Sequence, residues 1–313
     1  MLGAIDLGLI YGLMALGVYL TFRILDFPDL TVDGSFTTGA ALTATHLARG
    51  GDPWVATGLG LVGGLVAGAI TGVLSTKGRI HPLLAGILTQ IALYSINLRI
   101  MGKPNVSLTR AETILTPLKS NHLLASGASI AIFALVVVLF ILLTDWFLNT
   151  DMGLSLRATG ANESMARANG INTDAMKILG LSASNGLVGL SGALVAQYQG
   201  FADATMGIGL IVAGLASVIL GSAILRSTRV VIATVAVVIG SLLYRVIIQL
   251  ALTVGLDPND MKLVSALIVI IALLVPRWAS MGANSRRHRS HQRAGQPAVA
   301  GGPGVSDHAE AGA

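Results

Sequence analysis

SLRATGANESMARANGIN, residues 155–172, is a polar stretch in an otherwise apolar chain. IAIFALVVVLFILL, residues 130–143, precedes it, and MKILGLSASNGLVGLSGALVAQYQG, residues 176–200, follows it. Each flanking run is apolar and close to the length that crosses a bilayer as a helix, about 20 residues. A backbone in hydrocarbon must satisfy its own hydrogen bonds, so both runs are read as helices. The polar stretch between them then lies at one membrane face. It reads as a short helix: Asn162 caps its start, Glu163 sits in the first turn, and Gly170 stops it. Glu163 and Arg167 are four apart and can pair on one exposed face. Ala161, Met165 and Ala168 make a small, weakly apolar face. Two roles fit such an element: an interfacial helix lying on the lipid, or a docking surface for a soluble partner.

The rest of the chain agrees with a membrane protein. Of 313 residues, 53% are hydrophobic and only 11% are Asp, Glu, Lys or Arg, against roughly 25% charged in a soluble domain. So few charges could not cover the surface of a large soluble core. There is no cysteine, which excludes disulfides, thiol catalysis and cysteine metal sites. The net charge of +5 is concentrated in the tail RRHRSHQR, Arg286 to Arg293. In a membrane protein this marks an inside-facing end, not a nucleic-acid site. The start, MLGAIDLGLIYGLMALGVYL, lacks a basic leader and is long enough to span.

The fold expected is all-α, a polytopic transmembrane bundle of about nine spans, with eight to ten allowed. The spans fall at about 4–22, 30–48, 54–75, 80–101, 124–144, 175–198, 205–225, 230–251 and 260–276. The segments 30–48 and 205–225 contain polar residues and are expected to be broken or re-entrant. Residues 1–283 form the membrane domain, and residues 284–313 a disordered cytoplasmic tail, too poor in apolar residues to order itself. With residues 150–174 inside, Arg23, Lys77, Arg79, Arg157, Arg167, Lys177, Arg226, Arg229 and Arg277 also fall inside. Arg49, Lys103, Arg110 and Lys119 fall outside. This bias puts the N-terminus outside and the C-terminus in the cytoplasm. The loop 102–123 is expected to hold a short helix. Gly60, Gly64, Gly68 and Gly72 recur every turn and leave a face bare enough for another helix to approach closely.

Polar groups inside spans need partners or a watery path. Asp29, Thr31, Asp33, Ser35 and Thr37 cluster beside Pro28, where they either line a path or cap a helix start. Gln90, Tyr94 and Asn97 share one helical face. Gln197, Tyr198 and Asp203 mark the outer end of a span, where Tyr198 either bounds a vestibule or sits at an ordinary polar boundary. Arg245, inside a span, either snorkels or meets a carboxylate. No nucleophile–base pair and no G-x-x-x-x-G-K-[ST] run occurs, so the chain carries no phosphate cradle of its own.

Three stretches, in order, resemble ABC importer permeases of the branched-chain amino acid and ribose permease superfamily. They are GLIYGLMALGVYLTFRILDFPDLTVDGSFTTGAAL, RATGANESMARANGIN and MKILGLSASNGLVGLSGALVAQYQG, and the similarity covers about residues 4–276. The resemblance implies that residues 157–172 are a coupling helix. Arg157, Ala158, Gly160, Asn162, Glu163, Ala166, Arg167, Gly170, Ile171 and Asn172 would then sit against an ATPase subunit. It also implies a homodimer, two ATPase subunits holding ATP and Mg²⁺, an extracytoplasmic solute-binding protein, and a multi-pass location in the bacterial inner membrane. No cofactor or metal is implied in this chain. Branched-chain permeases commonly carry an Asn-Phe-Ala-then-Gly run where this chain has DFPDLTVDGSF. That departure counts against leucine, isoleucine and valine as solutes and is similar to a subgroup associated with aromatic amino acids. The function implied is ATP-driven import of a small polar solute, most simply an amino acid. An ion-gradient transporter is the alternative, but the two halves show no convincing repeat and buried acids are sparse. An intramembrane enzyme lacks its nucleophile and base.

Overall fold

The computed structural model describes residues 2–271, apart from 122, 125, 226–228, 256–259, 261 and 262. Helix α1 (Leu2–Tyr19) runs into a π-helical turn, Leu20–Ile24, and is followed by α2 (Thr31–Ala48), α3 (Pro53–Thr76) and α4 (Pro82–Met101). A short strand β1 (Asn105–Ser107) and helix α5 (Thr116–Ser120) occupy the next loop. Then come α6 (Gly127–Leu148), α7 (Asp151–Ala161), α8 (Glu163–Ala168), α9 (Thr173–Gln199), β2 (Phe201–Asp203), α10 (Leu210–Ile224) and α11 (Val230–Thr253). Residues 263–271 are helical as well.

The fold is an all-α membrane bundle. Six helices among the described residues are long and apolar enough to cross a membrane: Leu2–Ile24, Pro53–Thr76, Pro82–Met101, Gly127–Leu148, Thr173–Gln199 and Val230–Thr253. That is fewer than the nine expected. Two of the three shortfalls have a physical cause. Helix α2 carries Asp33, Ser35 and five threonines and hides most of them from the surface. Helix α10 has only 15 residues. The ninth segment extends past residue 271, and the disordered tail expected at 284–313 also lies outside the described residues.

Glycine decides which helices touch. Helices α3 and α9 run antiparallel, and the row Gly60, Gly64, Gly68, Gly72 lies along the contact. A Cβ at Gly64 would overlap the Asn185 carbonyl, and one at Gly68 the Leu181 carbonyl. Gly192 of α9 meets the Phe36 carbonyl of α2 in the same way. Serine hydroxyls then cross-link the helices: Ser184 donates to Gly17 O (2.6 Å), Ser191 to Ile10 O (2.8 Å), Ser182 to Leu65 O (2.8 Å) and Ser241 to Gly8 O (2.8 Å). In the absence of water such bonds and close packing replace hydrophobic burial as the cohesive force. The buried side of α1 therefore sits against α9 and α11, while α3 and α6 turn outward. Val62, Val66, Ile70 and Val73 on α3, and Leu135, Leu139, Leu142 and Leu143 on α6, are exposed apolar stripes, the faces a bilayer covers.

The two ends of the bundle differ. At one, β1 and β2 form an antiparallel ribbon pairing Val106 with Ala202. Gln197 pins the adjoining loop: it donates to Thr57 Oγ1 (2.7 Å) and accepts from Ile114 N (3.0 Å), while Lys119 donates to its carbonyl (2.9 Å). The short helix expected within 102–123 is α5; the strand was not foreseen. At the other end lie α7 and α8, because α6 and α9, which lead into and out of them, each run the length of the bundle.

Candidate functional site

The polar stretch 155–172 is two helices, not one. Asn162 is extended (φ −161°, ψ 100°) and breaks the path between α7 and α8. Its Oδ1 accepts from Met165 N (3.0 Å) and Ser164 Oγ (2.8 Å), so the expected cap is present. Arg167 Nη2 donates to Glu163 Oε1 (3.2 Å), the expected pair, and also to Thr173 Oγ1 (2.6 Å) and Asp174 Oδ1 (3.1 Å). Lys177 Nζ reaches Glu163 Oε2 at 2.7 Å. Gly170 holds φ +82°, the left-handed stop that the sequence predicts. Asn172 caps α9 by accepting from Ala175 N (3.1 Å). Helix α8 is thus strapped to the first turn of α9 by four charged side chains.

Helix α7 is anchored more deeply. Leu156 is fully buried, and a Cβ at Gly180 of α9 would press on its side chain. Gly160 lies against the Ile24 carbonyl at the end of the π-helical turn, with no room for a Cβ. A groove lined by Arg23, Asp26, Arg157, Ala158, Gly160 and Ala161 separates α7 from that turn. Gly160 thus packs against the bundle, and Ala166 is buried. Ala161, Met165 and Ala168 face outward, and Met165 is 64% exposed. Arg157, Ala158 and Ile171 are half-buried between these two faces. The sequence missed Thr173, Asp174 and Lys177 as members of the joint; the acid in the first turn of α9 and the lysine three residues later were the available signal.

Hydrogen bonding from Lys177, aided by its charge and that of Arg167, holds the Glu163 carboxyl below the usual glutamate range against an opposing cost of burial. A depressed folded pKa means that the strap is fully present above the unfolded pKa and is lost as pH falls through the folded one. We expect α8 amide protection from exchange to hold from neutral pH to the top of the ordinary glutamate range and to decline progressively below that, as pH falls toward the folded pKa. Glu163→Gln should raise that exchange already at neutral pH, while costing under about 1 kcal/mol globally because the pair is partly exposed. Hydrogen exchange at residues 163–168 measures both.

The expected pathway residues separate. Asp33, Gln90, Tyr94 and Asn97 meet in a cavity of about 340 Å³, together with Gly34, Thr37, Ser95 and Ile208. Asp33 spans to α10, accepting from Gly209 N (2.7 Å) and Ile211 N (2.8 Å), so it caps the start of that helix and not of its own. Arg245 lines a second cavity of about 260 Å³ with Tyr11, Tyr244 and Ser217; Ile208 borders both. Its guanidinium stacks on the Tyr11 ring, 4.5 Å from the centroid. The other four lie elsewhere. Asp29 accepts from Thr31 N (2.9 Å) and Asn185 Nδ2 (2.6 Å), and Thr31 bonds Thr71 (2.7 Å), joining α2 to α3 and α9. Ser35 is buried in α2 outside both linings. Tyr198 donates to Asp6 Oδ2 (3.3 Å), which also accepts from Ser129 Oγ (2.8 Å). The bonds of Asp29, Thr31 and Tyr198 tie helices together, and Asp29 Oδ1 accepts from Thr31 N at the start of α2. Thr37, which the sequence placed in the cluster beside Pro28, also lines the first cavity; Ser95 and Ile208 are lining residues that the sequence did not single out. Among the described residues no group of three His, Cys, Asp or Glu converges on a metal site.

Residues 1–274 match the family described as branched-chain amino acid transport system, permease component. A tyrosine transport system permease protein of Clostridioides difficile (strain R20291) is 45% identical over 267 residues, which span 85% of this chain and 87% of that protein. A ribose import permease protein of Escherichia coli (strain K12) is 26% identical over 251 residues, 79% of this chain and 76% of that protein. A solved structure described as an inward-facing conformation of a metal-chelate type ABC transporter aligns with a TM-score of 0.50 at 16% identity, covering 88% of this chain and 84% of that one, a likeness of fold. The chain belongs to the branched-chain amino acid transport system permease family, as a transport subunit, not an enzyme, of an ABC-type importer for a small polar solute.

Proposed function

We propose that the solute is an amino acid with an aromatic side chain, and that α7 and α8 are the element through which a separate ATPase drives the bundle. The likeness to a tyrosine transport permease along most of the chain carries the solute reading. The joint reading is supported by an element strapped to α9, wedged against α1 and left with an exposed face at Met165 and Ala168. ATP and Mg²⁺ belong to the ATPase subunits, two of which would dock on two copies of this chain. Closure of the ATPases would tilt α7 and α8 and, through Gly160 and Leu156, the helices around the path.

In this arrangement the α7–α8 end is cytoplasmic. The N-terminus and the β-ribbon lie outside, where a solute-binding protein delivers its cargo, and the C-terminus is inside. Arg23, Lys77, Arg157 and Arg167 then take the cytoplasmic side of a bacterial inner membrane. Helices α2 and α10 sit within the membrane as shielded elements beside the six long apolar helices. Nucleic acid has no part in it; the remaining contacts are with lipid.

The test is import. Proteoliposomes holding this permease with its ATPase, supplied with the binding protein outside and Mg-ATP inside, should accumulate tyrosine. Omitting either ATP or the binding protein should abolish accumulation. Uptake driven by an ion gradient through the permease alone would refute the reading.

A further inference from the structure

Asn97 has hydrogen-bonding capacity that the fold leaves unused. Its side chain is fully buried, and neither Nδ2 nor Oδ1 has a partner among the described residues. An unpaired buried amide costs about 1–3 kcal/mol, and within a bilayer no bulk water relieves it. Packing does not require it, since leucine has a similar volume and no such cost. Two neighbouring buried polar groups in the same cavity, Asp33 and Thr37, are occupied. Asp33 caps α10, and Thr37 Oγ1 donates to Asp33 O (3.1 Å) and accepts from Gly207 N (3.1 Å). Ser35 Oγ and Asn185 Oδ1 are also unpaired and buried, but neither lines this cavity.

The cavity is graded from end to end. Asn97 is fully enclosed, whereas Tyr94, Ile91 and Ile208 are 44%, 63% and 47% exposed. A polar back wall thus leads out to an aromatic and aliphatic mouth. Gly34 permits this shape: a Cβ there would lie 2.9 Å from the Leu93 side chain and 3.2 Å from Gln90 Cα, so α2 and α4 close up just beside the cavity.

We propose that Asn97 recognises the backbone of an α-amino acid in transit. Its Nδ2 donates to the solute carboxylate and its Oδ1 accepts from the solute ammonium, while the side chain lies toward Tyr94 and Ile208. A carboxamide offers one donor side and one acceptor side, and a zwitterion presents the complement on adjacent groups. The carboxamide gives each charged group of the zwitterion a hydrogen-bond partner, which offsets part of the cost of burying them. The Asp33 carboxylate on the same wall favours a solute bearing an ammonium over a neutral polyol. A neutral dipole also holds a passing solute less tightly than a full counter-charge would, which suits release. The inference rests on the amino acid reading above and adds the residue that enforces it.

The experiment uses the assembled importer with Asn97→Leu. Import of each L-α-amino acid, and of ribose, is measured in proteoliposomes for wild type and variant. The thermal midpoint of each purified permease is measured alongside. The expected result is import of an amino acid by the wild type, a loss of at least tenfold in N97L, and a midpoint that is equal or higher. Undiminished amino acid import by N97L would overturn the assignment alone. A lowered midpoint or failure to fold would also overturn it, because Asn97 would then be serving a partner inside the protein. A wild-type importer that carries ribose, or no amino acid, would overturn both this assignment and the reading beneath it.

Discussion

Gly68→Val is expected to destroy the bundle, while Gly58→Val on the same helix leaves it intact. At Gly68 the first side-chain carbon would collide with the Leu181 carbonyl and approach Asn185 Cβ at 2.8 Å. Backbone cannot step aside as a flexible side chain can, so α3 and α9 must separate. Overpacking in a tight core costs about 1–3 kcal/mol when side chains absorb it; here the upper end or beyond is expected. Separation would also strip the Ser182–Leu65 bond that crosses the same interface. At Gly58 nothing lies within 4 Å of an added Cβ. Size-exclusion profiles and thermal midpoints in detergent compare the two: G68V should aggregate or lose its transition, and G58V should match wild type.

That pair of variants also marks how far the sequence could be read. The spacing of Gly60 to Gly72 revealed a bare helical face, since the period of a helix is local. It could not name α9 as the partner, because the matching carbonyls at Leu181 and Asn185 are more than a hundred residues away. The cap at Asn162, the Glu163–Arg167 pair and the stop at Gly170 were legible for the same local reason. The break was not, because the side-chain cap and the intrinsic helicity of 157–161 do not reveal that Asn162 both ends one helix and starts another. Hydropathy overcounted spans where polar residues are satisfied internally: Thr38 in α2 returns its hydroxyl to Gly34 O (2.9 Å). Asp33 and Arg245 were recognised as unusual, but their partners, the start of α10 and the Tyr11 ring, belong to tertiary structure.

Gly170→Val should uncouple transport without unfolding the membrane helices. The site is open, with nothing within 4 Å of an added Cβ, so the only conflict is with the backbone. A β-branched residue at φ +82° is strained by about 1–3 kcal/mol. The chain relieves that strain by unwinding the end of α8, which carries Arg167 away from Thr173 and Asp174. The exposed face at Met165 and Ala168 then loses its fixed orientation. ATP-dependent import should fall at least tenfold, and the thermal midpoint should move by only a few degrees. Gly170→Asn, which tolerates a positive φ better, should retain most of the import. Equal import by G170V and wild type would argue against a mechanical role.

The most direct measurement places the ATPase. Because the chain has no cysteine, a single one at Met165→Cys can carry a maleimide–benzophenone probe in the assembled importer, with Leu143→Cys on the outward face of α6 as its counterpart. If α8 receives the thrust of the ATPase, illumination should yield a permease–ATPase adduct from position 165 and none from position 143. An adduct pattern in which position 165 reacts with lipid and never with the ATPase would contradict the account.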